Sequence, residues 1–379
     1  MDMEYPGRTL EGVKAEMLDR AGRINPFEWV KKEDVAEVAE RLTSLDPDHW
    51  GSEWARIAAR YEAQGDAEES RDQTEACGKS FYLAYEYYRI GRYPIPNTPE
   101  KMNCYKGALR CFQKAARYLD PPVERVAIPF EGKQVVGYLQ IPRGAVRPAV
   151  VMHWGGVDGW KEDRRQTSEA FHRQGLATFT VDMPGAGENP LLGSDPRAER
   201  TFSAAIDHLV GRNDIDGSRI AVLGASFGGY WASKMAYVEC NRLRGVVNWG
   251  AGVHRTFQEE WLRPALTKTA SQYLLGPASL FEARAYMFRA KTLEEVLRLA
   301  AKLSLKDQGW LEKPNAPLLL VNGKKDDQHP IEDFYLLLDY GDPKEVRIYP
   351  EAGHMGRQPG KPSHEVLDMI TRWIKQKLS

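Results

Sequence analysis

The sequence predicts an α/β protein: a doubly wound, mostly parallel sheet with a helical module in front of it and a helical insertion within it. Three observations predict this class. Before Pro121 and Pro122 apolar residues recur at helical spacing, and after them short apolar runs alternate with amphipathic stretches. Only one pair of those runs, "VERVAIPF" and "QVVGYLQIP" around "EGK", needs to pair as an antiparallel hairpin. Alternating strands and helices imply a parallel sheet covered on both faces.

The helical module spans residues 1–120. "DHWGSEWARIAARYEAQGDAEES" sets Trp50, Trp54, Ile57 and Tyr61 on one helical face. "ACGKSFYLAYEYYRIGRYP" and "PEKMNCYKGALRCFQKAARYL" repeat the pattern. Such helices pack as a layer because none is stable alone. Their Trp and Tyr stripes read as core, and the module offers no catalytic residues of its own.

The catalytic part spans 121–379. After the hairpin come the strand "RPAVVMHW", the loop "GGVDGWKED" and a helix through "RRQTSEAFHRQG". The strand "LATFTVDM" ends at "PGAGE", and a helix covers "RAERTFSAAIDHLVG". "SRIAVLGAS" is the next strand, followed by the helix "FGGYWASKMAYVE". "RGVVNWGAG", "APLLLVNG" and "EVRIYPEAG" complete the sheet, and "HEVLDMITRWIKQKL" is the closing helix. Residues 253–315 break the alternation and read as a helical lid, since ligands bind at the carboxyl edge of such sheets.

Bulk properties narrow the function. With 42% apolar and 28% charged residues, 379 residues can bury a large core. A formal net charge of −1 favours neither nucleic acid nor an acidic membrane as partner, so a small-molecule substrate is expected. No apolar run approaches the ~18 residues of a spanning helix, and the N-terminal stretch lacks the features of a secretory signal. Cys77, Cys104, Cys111 and Cys240 form no C-x-x-C pair, which suits reduced thiols in a cytoplasmic protein. The scattered histidines give no metal site. "PGAGENPLLG" lacks the third glycine of a dinucleotide fingerprint, and no phosphate-binding G-x-x-x-x-G-K-[ST] exists, so no cofactor is expected.

One motif points to chemistry. "GASFG" places Ser226 between Gly224 and Gly228, after a strand and before a helix. That is the setting of a nucleophile elbow, the turn that exposes a serine in α/β-hydrolases. A serine hydroxyl needs a base held in place by a third group, and in this fold the chain order is nucleophile, acid, histidine. Asp326 follows one strand in "NGKKDDQHP" and His354 follows the next in "EAGH". Asp326 is preferred to Asp327 for its spacing between Gly323 and Pro330, and His354 to His329, which lies in the acid loop itself. Oxyanion donors are then the amide of Phe227 and that of Gly156 or Val157, while His153 braces the loop.

"HWGGVDGWKED", "VDMPGAGE", "GASFGGYWA", "NGKKDDQHP" and "EAGH", behind a helical front end, resemble the family of 2,6-dihydroxypseudooxynicotine hydrolase. That family also includes fungal pigment enzymes that shorten a polyketide chain and a protein named for the fermentation-respiration switch. The most specific part is the loop with Gly155, Gly156, Asp158, Lys161 and Glu162. The resemblance implies hydrolysis of a carbon–carbon bond in a 1,3-diketone or related acyl compound, a helical module covering the active site, and a homodimer. It also implies a further glutamate at the site, for which "NWGAGVHRTFQEEWLRP" offers Glu259 and Glu260; His254 in that stretch would line the pocket. Two other readings stay open: a carboxylesterase or lactonase acting on a C–O bond, and a non-catalytic binding or regulatory protein on the same fold. Ser226 either attacks the carbonyl or orients water.

Overall fold

A computed structural model describes residues 8–269, 273–358 and 364–379, and divides the chain into two units. The first comprises Met1–Val123 with Ser271–Ala283, the second Glu124–Ala270 with Arg284–Ser379. The described residues 273–283 thus group with the N-terminal helices, although the sequence places all of 253–315 in the catalytic half.

In the first unit, α1 (Leu10–Arg20) and α2 (Lys32–Arg41) precede three longer helices, α3 (Pro47–Glu69), α4 (Thr74–Gly91) and α5 (Pro99–Ala116). α3 starts cleanly: Asp46 accepts the N–H groups of Asp48 and His49, and Pro47 occupies the first turn, where a missing N–H costs nothing. Trp50, Trp54, Ile57 and Tyr61 are all buried. Tyr61 also has a polar duty, donating to the buried Asp34 of α2 at 2.7 Å.

The second unit holds one eight-stranded sheet: β1 (Glu124–Phe130), β2 (Lys133–Gln140), β3 (Val150–Trp154), β4 (Ala177–Val181), β5 (Ile220–Ala225), β6 (Leu243–Trp249), β7 (Leu318–Gly323) and β8 (Lys344–Tyr349). The order is β1-β2-β4-β3-β5-β6-β7-β8. β2 pairs antiparallel with both β1 and β4, and every pairing from β4 to β8 is parallel. Strands β3, β4, β5 and β7 are buried along their whole length, and β6 at every residue but the exposed Arg244, as a sheet covered on both faces requires.

The helices that follow β3 in the chain are α6 (Arg165–His172), α7 (Arg200–Val210), α8 (Gly228–Val238), α9 (Glu259–Pro264), α10 (Gly276–Phe288, divided between the units at Ala283), α11 (Leu293–Ala301), α12 (Glu332–Leu338) and α13 (His364–Lys377). On one face Phe171, Ile370, Trp373 and Ile374 pack with Leu223, Val247 and Val321 in a single apolar cluster. Trp154 stacks on Phe202 of α7 with ring centroids 4.0 Å apart.

The topology fixes where a ligand can sit. From β3 the chain steps outward to β4, then returns to lay β5 on the other side of β3. Beyond the carboxyl ends of strands flanking such a reversal lies the usual crevice of an open α/β sheet. The glycine-rich loop after β3 and the "GASFG" turn after β5 meet there.

Candidate active site

Ser226 directly follows the end of β5, with Phe227 between it and the start of α8, and its backbone is left-handed, with φ of 53°. A non-glycine residue in that region is strained, and such strain persists only where the surroundings fix it. Here the fixing contacts are visible. The Ser226 N–H donates to the Trp249 carbonyl at the end of β6 at 2.8 Å, and the Ser226 carbonyl accepts from Gly229 at 2.8 Å. The glycines are demanded by close approach: a Cβ on Gly224 would fall 2.1 Å from the Gly228 carbonyl oxygen, and one on Gly228 2.2 Å from that of Gly155.

The structure brings Ser226, His354 and Asp326 into one hydrogen-bonded line. Ser226 Oγ lies 2.8 Å from His354 Nε2, and His354 Nδ1 lies 2.8 Å from Asp326 Oδ2. An ionised carboxylate only accepts, so Nδ1 carries the proton and Nε2 is left to accept from the serine hydroxyl. His354 stands in a short 3-10 turn after β8, and the next residue, Met355, is also left-handed with φ of 62°.

Asp326 is buried and fully employed. Its Oδ1 accepts the N–H groups of Gln328 at 2.8 Å and His329 at 3.2 Å, and its Oδ2 accepts from Asn322 at 2.8 Å as well as from His354. Burial alone would raise its pKa. The field and hydrogen bond of His354 and the Asn322 bond outweigh that and hold it below the ordinary aspartate value. Asp327 does not take part in the bond to His354, which Asp326 makes.

His329, the rival imidazole, is placed beside the line rather than in it. It stacks on His354 with centroids 5.6 Å apart and has Nδ1 2.8 Å from the Thr256 hydroxyl. Complete burial pushes its pKa down to about 3, so the ring is neutral. Thr256 in turn sits on a turn whose N–H groups, from Val253 to Thr256, all donate to the Asp333 carboxylate at 2.7 to 3.2 Å.

The β3 loop lies directly against the serine. A Cβ on Gly156 would be 2.9 Å from Ser226 Oγ and 3.3 Å from the Phe227 nitrogen, so only glycine fits there. Val157 is buried, and its carbonyl accepts from the Trp160 indole at 3.2 Å. Phe227 opens α8, where the first N–H groups of a helix lack intrahelical partners. His153 points elsewhere, buried with Nε2 3.1 Å from Ser168 Oγ, and burial keeps it neutral.

Three expected pocket residues are not joined to this line. Glu259 and Glu260 are exposed, and Glu259 pairs with Arg263 of its own helix at 2.7 Å. α9 turns Leu262 inward and its acids outward, so neither serves as a buried carboxylate. His254 is half-buried with Nδ1 2.7 Å from Ser304 Oγ. Conversely, residues the sequence did not single out lie close by. Asn322 supports Asp326, and the Trp249 indole donates to the Met355 carbonyl at 2.8 Å. The buried guanidinium of Arg284 lies 3.5 Å from the Phe227 ring centroid. A polar residue ending an all-apolar strand, as in "LLLVNG", was the available signal for Asn322.

Among the described residues no group of three His, Cys, Asp or Glu could hold a metal ion, and no helix is long and apolar enough to cross a membrane.

A family model described as "Esterase FrsA-like" matches residues 17–379. The chain is 24% identical over 341 residues to Esterase FrsA of Vibrio cholerae serotype O1 (strain ATCC 39541 / Classical Ogawa 395 / O395), covering 87% of this chain and 76% of that protein. It is 31% identical over 253 residues to 2,6-dihydropseudooxynicotine hydrolase of Paenarthrobacter nicotinovorans, covering 65% and 67%. The crystal structure of the 2,6-dihydroxy-pseudo-oxynicotine hydrolase superposes with a TM-score of 0.77 at 22% identity, over 97% of this chain and 95% of that one. That likeness establishes the α/β-hydrolase fold.

Proposed function

Since the chain belongs to the FrsA-like esterase family and is an α/β-hydrolase enzyme, we propose that Ser226 is its nucleophile, with His354 as general base and acid and Asp326 as orienting carboxylate. The single observation that carries this reading is the line Ser226 Oγ to His354 Nε2 to Asp326 Oδ2, each step 2.8 Å. Nucleophile, base and orienter within hydrogen-bond reach are what acyl transfer by serine demands.

The steps follow from the proton positions. As Ser226 Oγ attacks an acyl carbonyl carbon, its proton passes to His354 Nε2, and Asp326 stabilises the imidazolium so formed. The carbonyl oxygen takes up the negative charge between the Phe227 amide and that of Gly156 or Val157. When the bond to the leaving group breaks, His354 returns the proton to it. Water, deprotonated by the same imidazole, then releases the acid and restores the serine.

For the substrate we propose a 1,3-diketone or similar aromatic acyl compound cleaved at a carbon–carbon bond. The support is the 31% identity to an enzyme named for a pseudooxynicotine together with the loop motif at 155–162. A carbon leaving group departs as an enolate, so the substrate needs a second carbonyl or a phenolic ring to carry the charge. The second reading is ester hydrolysis by the same residues, favoured by the relatives named Esterase FrsA. The test compares kcat/KM for aryl and alkyl esters with aromatic and polyketide-like 1,3-diketones, with products identified by mass. Faster cleavage of diketones, lost in Ser226→Ala, supports the first reading; cleavage of esters alone selects the second.

A further inference from the structure

The loop motif that most distinguishes the sequence ends in Lys161 and Glu162, and neither takes part in the mechanism above. Lys161 has no exposed side-chain surface. Its ammonium is 2.8 Å from Asp182 Oδ2, 2.6 Å from Glu162 Oε1 and 2.9 Å from Glu188 Oε2. Its backbone N–H donates to Asp182 Oδ1 at 2.9 Å, and Asp182 Oδ2 also accepts the N–H of Glu188 at 2.9 Å. Asp182 and Glu188 both belong to the segment leaving β4. The cluster therefore ties the far end of the β3 loop to the neighbouring strand's exit.

The near end of the same loop is tied to the serine turn. The Trp154 indole donates to the Gly228 carbonyl at 2.8 Å, and Gly156 lies against Ser226. Between these anchors only a few residues remain, and they fold back tightly: a Cβ on Gly155 would meet the Gly159 carbonyl oxygen at 2.0 Å. Where the Gly156 and Val157 amides stand is thus decided by two clamps, one on α8 and one on Lys161.

We infer that Lys161 is a positioning residue for the oxyanion loop, holding the Gly156–Val157 amides in register with Ser226 through its joint grip on Glu162, Asp182 and Glu188. The inference rests on Ser226 being the nucleophile, and it extends that reading to a group that never touches substrate. Burying one cation among three carboxylates is costly if all are ionised. Burial, with Asp182 and Asp163 nearby, raises Glu162 to about 7 against the pull of Lys161. Glu188 stays low, because Lys161 and Arg125 outweigh its burial. Tyr138, whose ring lies 5.4 Å from the ammonium, completes the surroundings and remains neutral because burial raises its pKa. Below about pH 7 the cluster therefore keeps one proton, and above it the buried charge becomes less balanced.

Lys161→Met is expected to lower kcat about 10- to 100-fold with little change in KM, as loss of an outer positioning contact does. The discriminating probe is an aryl trifluoromethyl ketone, which forms a tetrahedral oxyanion adduct on serine, set beside the matching methyl ketone. Its inhibition constant should rise in step with the loss of kcat/KM, while that of the methyl ketone stays the same. A merely structural lysine would lower the folded fraction and leave both constants of the folded enzyme unchanged, which overturns the inference. Should Lys161→Met not fold, Glu162→Gln gives an independent reading. It keeps the shape and removes the proton, so the alkaline fall in kcat should move upward; an unchanged pH profile contradicts the account. If Ser226→Ala retains wild-type turnover, the underlying mechanism has failed instead, which is a different result.

Discussion

Asn322 donates to Asp326 Oδ2 at 2.8 Å while its own oxygen accepts the Met355 N–H at 2.9 Å. One carboxamide at the end of β7 thus sets the acid and the turn that carries His354 at the same time. Asn322→Leu removes both bonds and leaves a buried N–H and a carboxylate with one partner fewer. A loss of about 1–3 kcal/mol in stability is expected, with kcat reduced about 10- to 100-fold. Urea unfolding and steady-state kinetics on one preparation check both; unchanged kcat would show that Asp326 and His354 hold their places without it.

The left-handed backbone of Ser226 makes a stability prediction opposite in sign to the activity one. Ser226→Ala and Ser226→Gly should both be inactive, with kcat down by at least about 10³-fold. Glycine relieves the strain that alanine keeps, offset in part by its greater freedom in the unfolded chain. The glycine variant should therefore be more stable than the alanine variant by about 0.5–1 kcal/mol. Equal midpoints in thermal unfolding contradict the strained turn.

Gly156→Ala adds a methyl group 2.9 Å from Ser226 Oγ. The loop must shift, and its amides with it, so kcat should fall about 10²- to 10³-fold, as when one oxyanion donor is lost. Binding of the aryl methyl ketone reports whether the loss lies in the transition state; equal weakening of both would place it in ground-state packing instead.

Two carboxyls give opposite pH dependences. Asp326 titrates below its ordinary value in the folded protein. Its contribution is then complete above the unfolded pKa of about 3.9 and is lost as pH falls through the lowered folded value. The stability difference between wild type and Asp326→Asn should be constant above about pH 5 and shrink below pH 4. Glu162 is raised from 4.5 to about 7, so its burial costs nothing in acid and destabilises progressively between those values. Glu162→Gln should abolish that decline. Urea titrations from pH 3 to 8 measure both, and a shared sign would refute the assignment.

The sheet was readable because its central strands are short apolar runs bounded by turn residues, while the order in which they lie side by side came only from the structure. α12, with seven residues, is not assigned by the sequence, nor are α1 and α2, which lie within the helical module but are only 11 and 10 residues long. Ser226, Asp326 and His354 could be named because each follows its own strand at the same edge of the sheet. What stayed hidden is long-range or rotational. Lys161 meets Asp182 and Glu188 only once β3 and β4 are neighbours, and a local reading of "QEEWLRP" cannot tell that α9 faces Leu262 inward and its acids to water.

The central claim is that Ser226, activated by His354 and Asp326, is the reactive group. The direct measurement is labelling with an aryl fluorophosphonate, read by intact mass and peptide mapping. The account predicts one label per chain on Ser226, none in Ser226→Ala, and labelling at least about 10²-fold slower in His354→Ala. A label on another serine, or full turnover by Ser226→Ala, would contradict it.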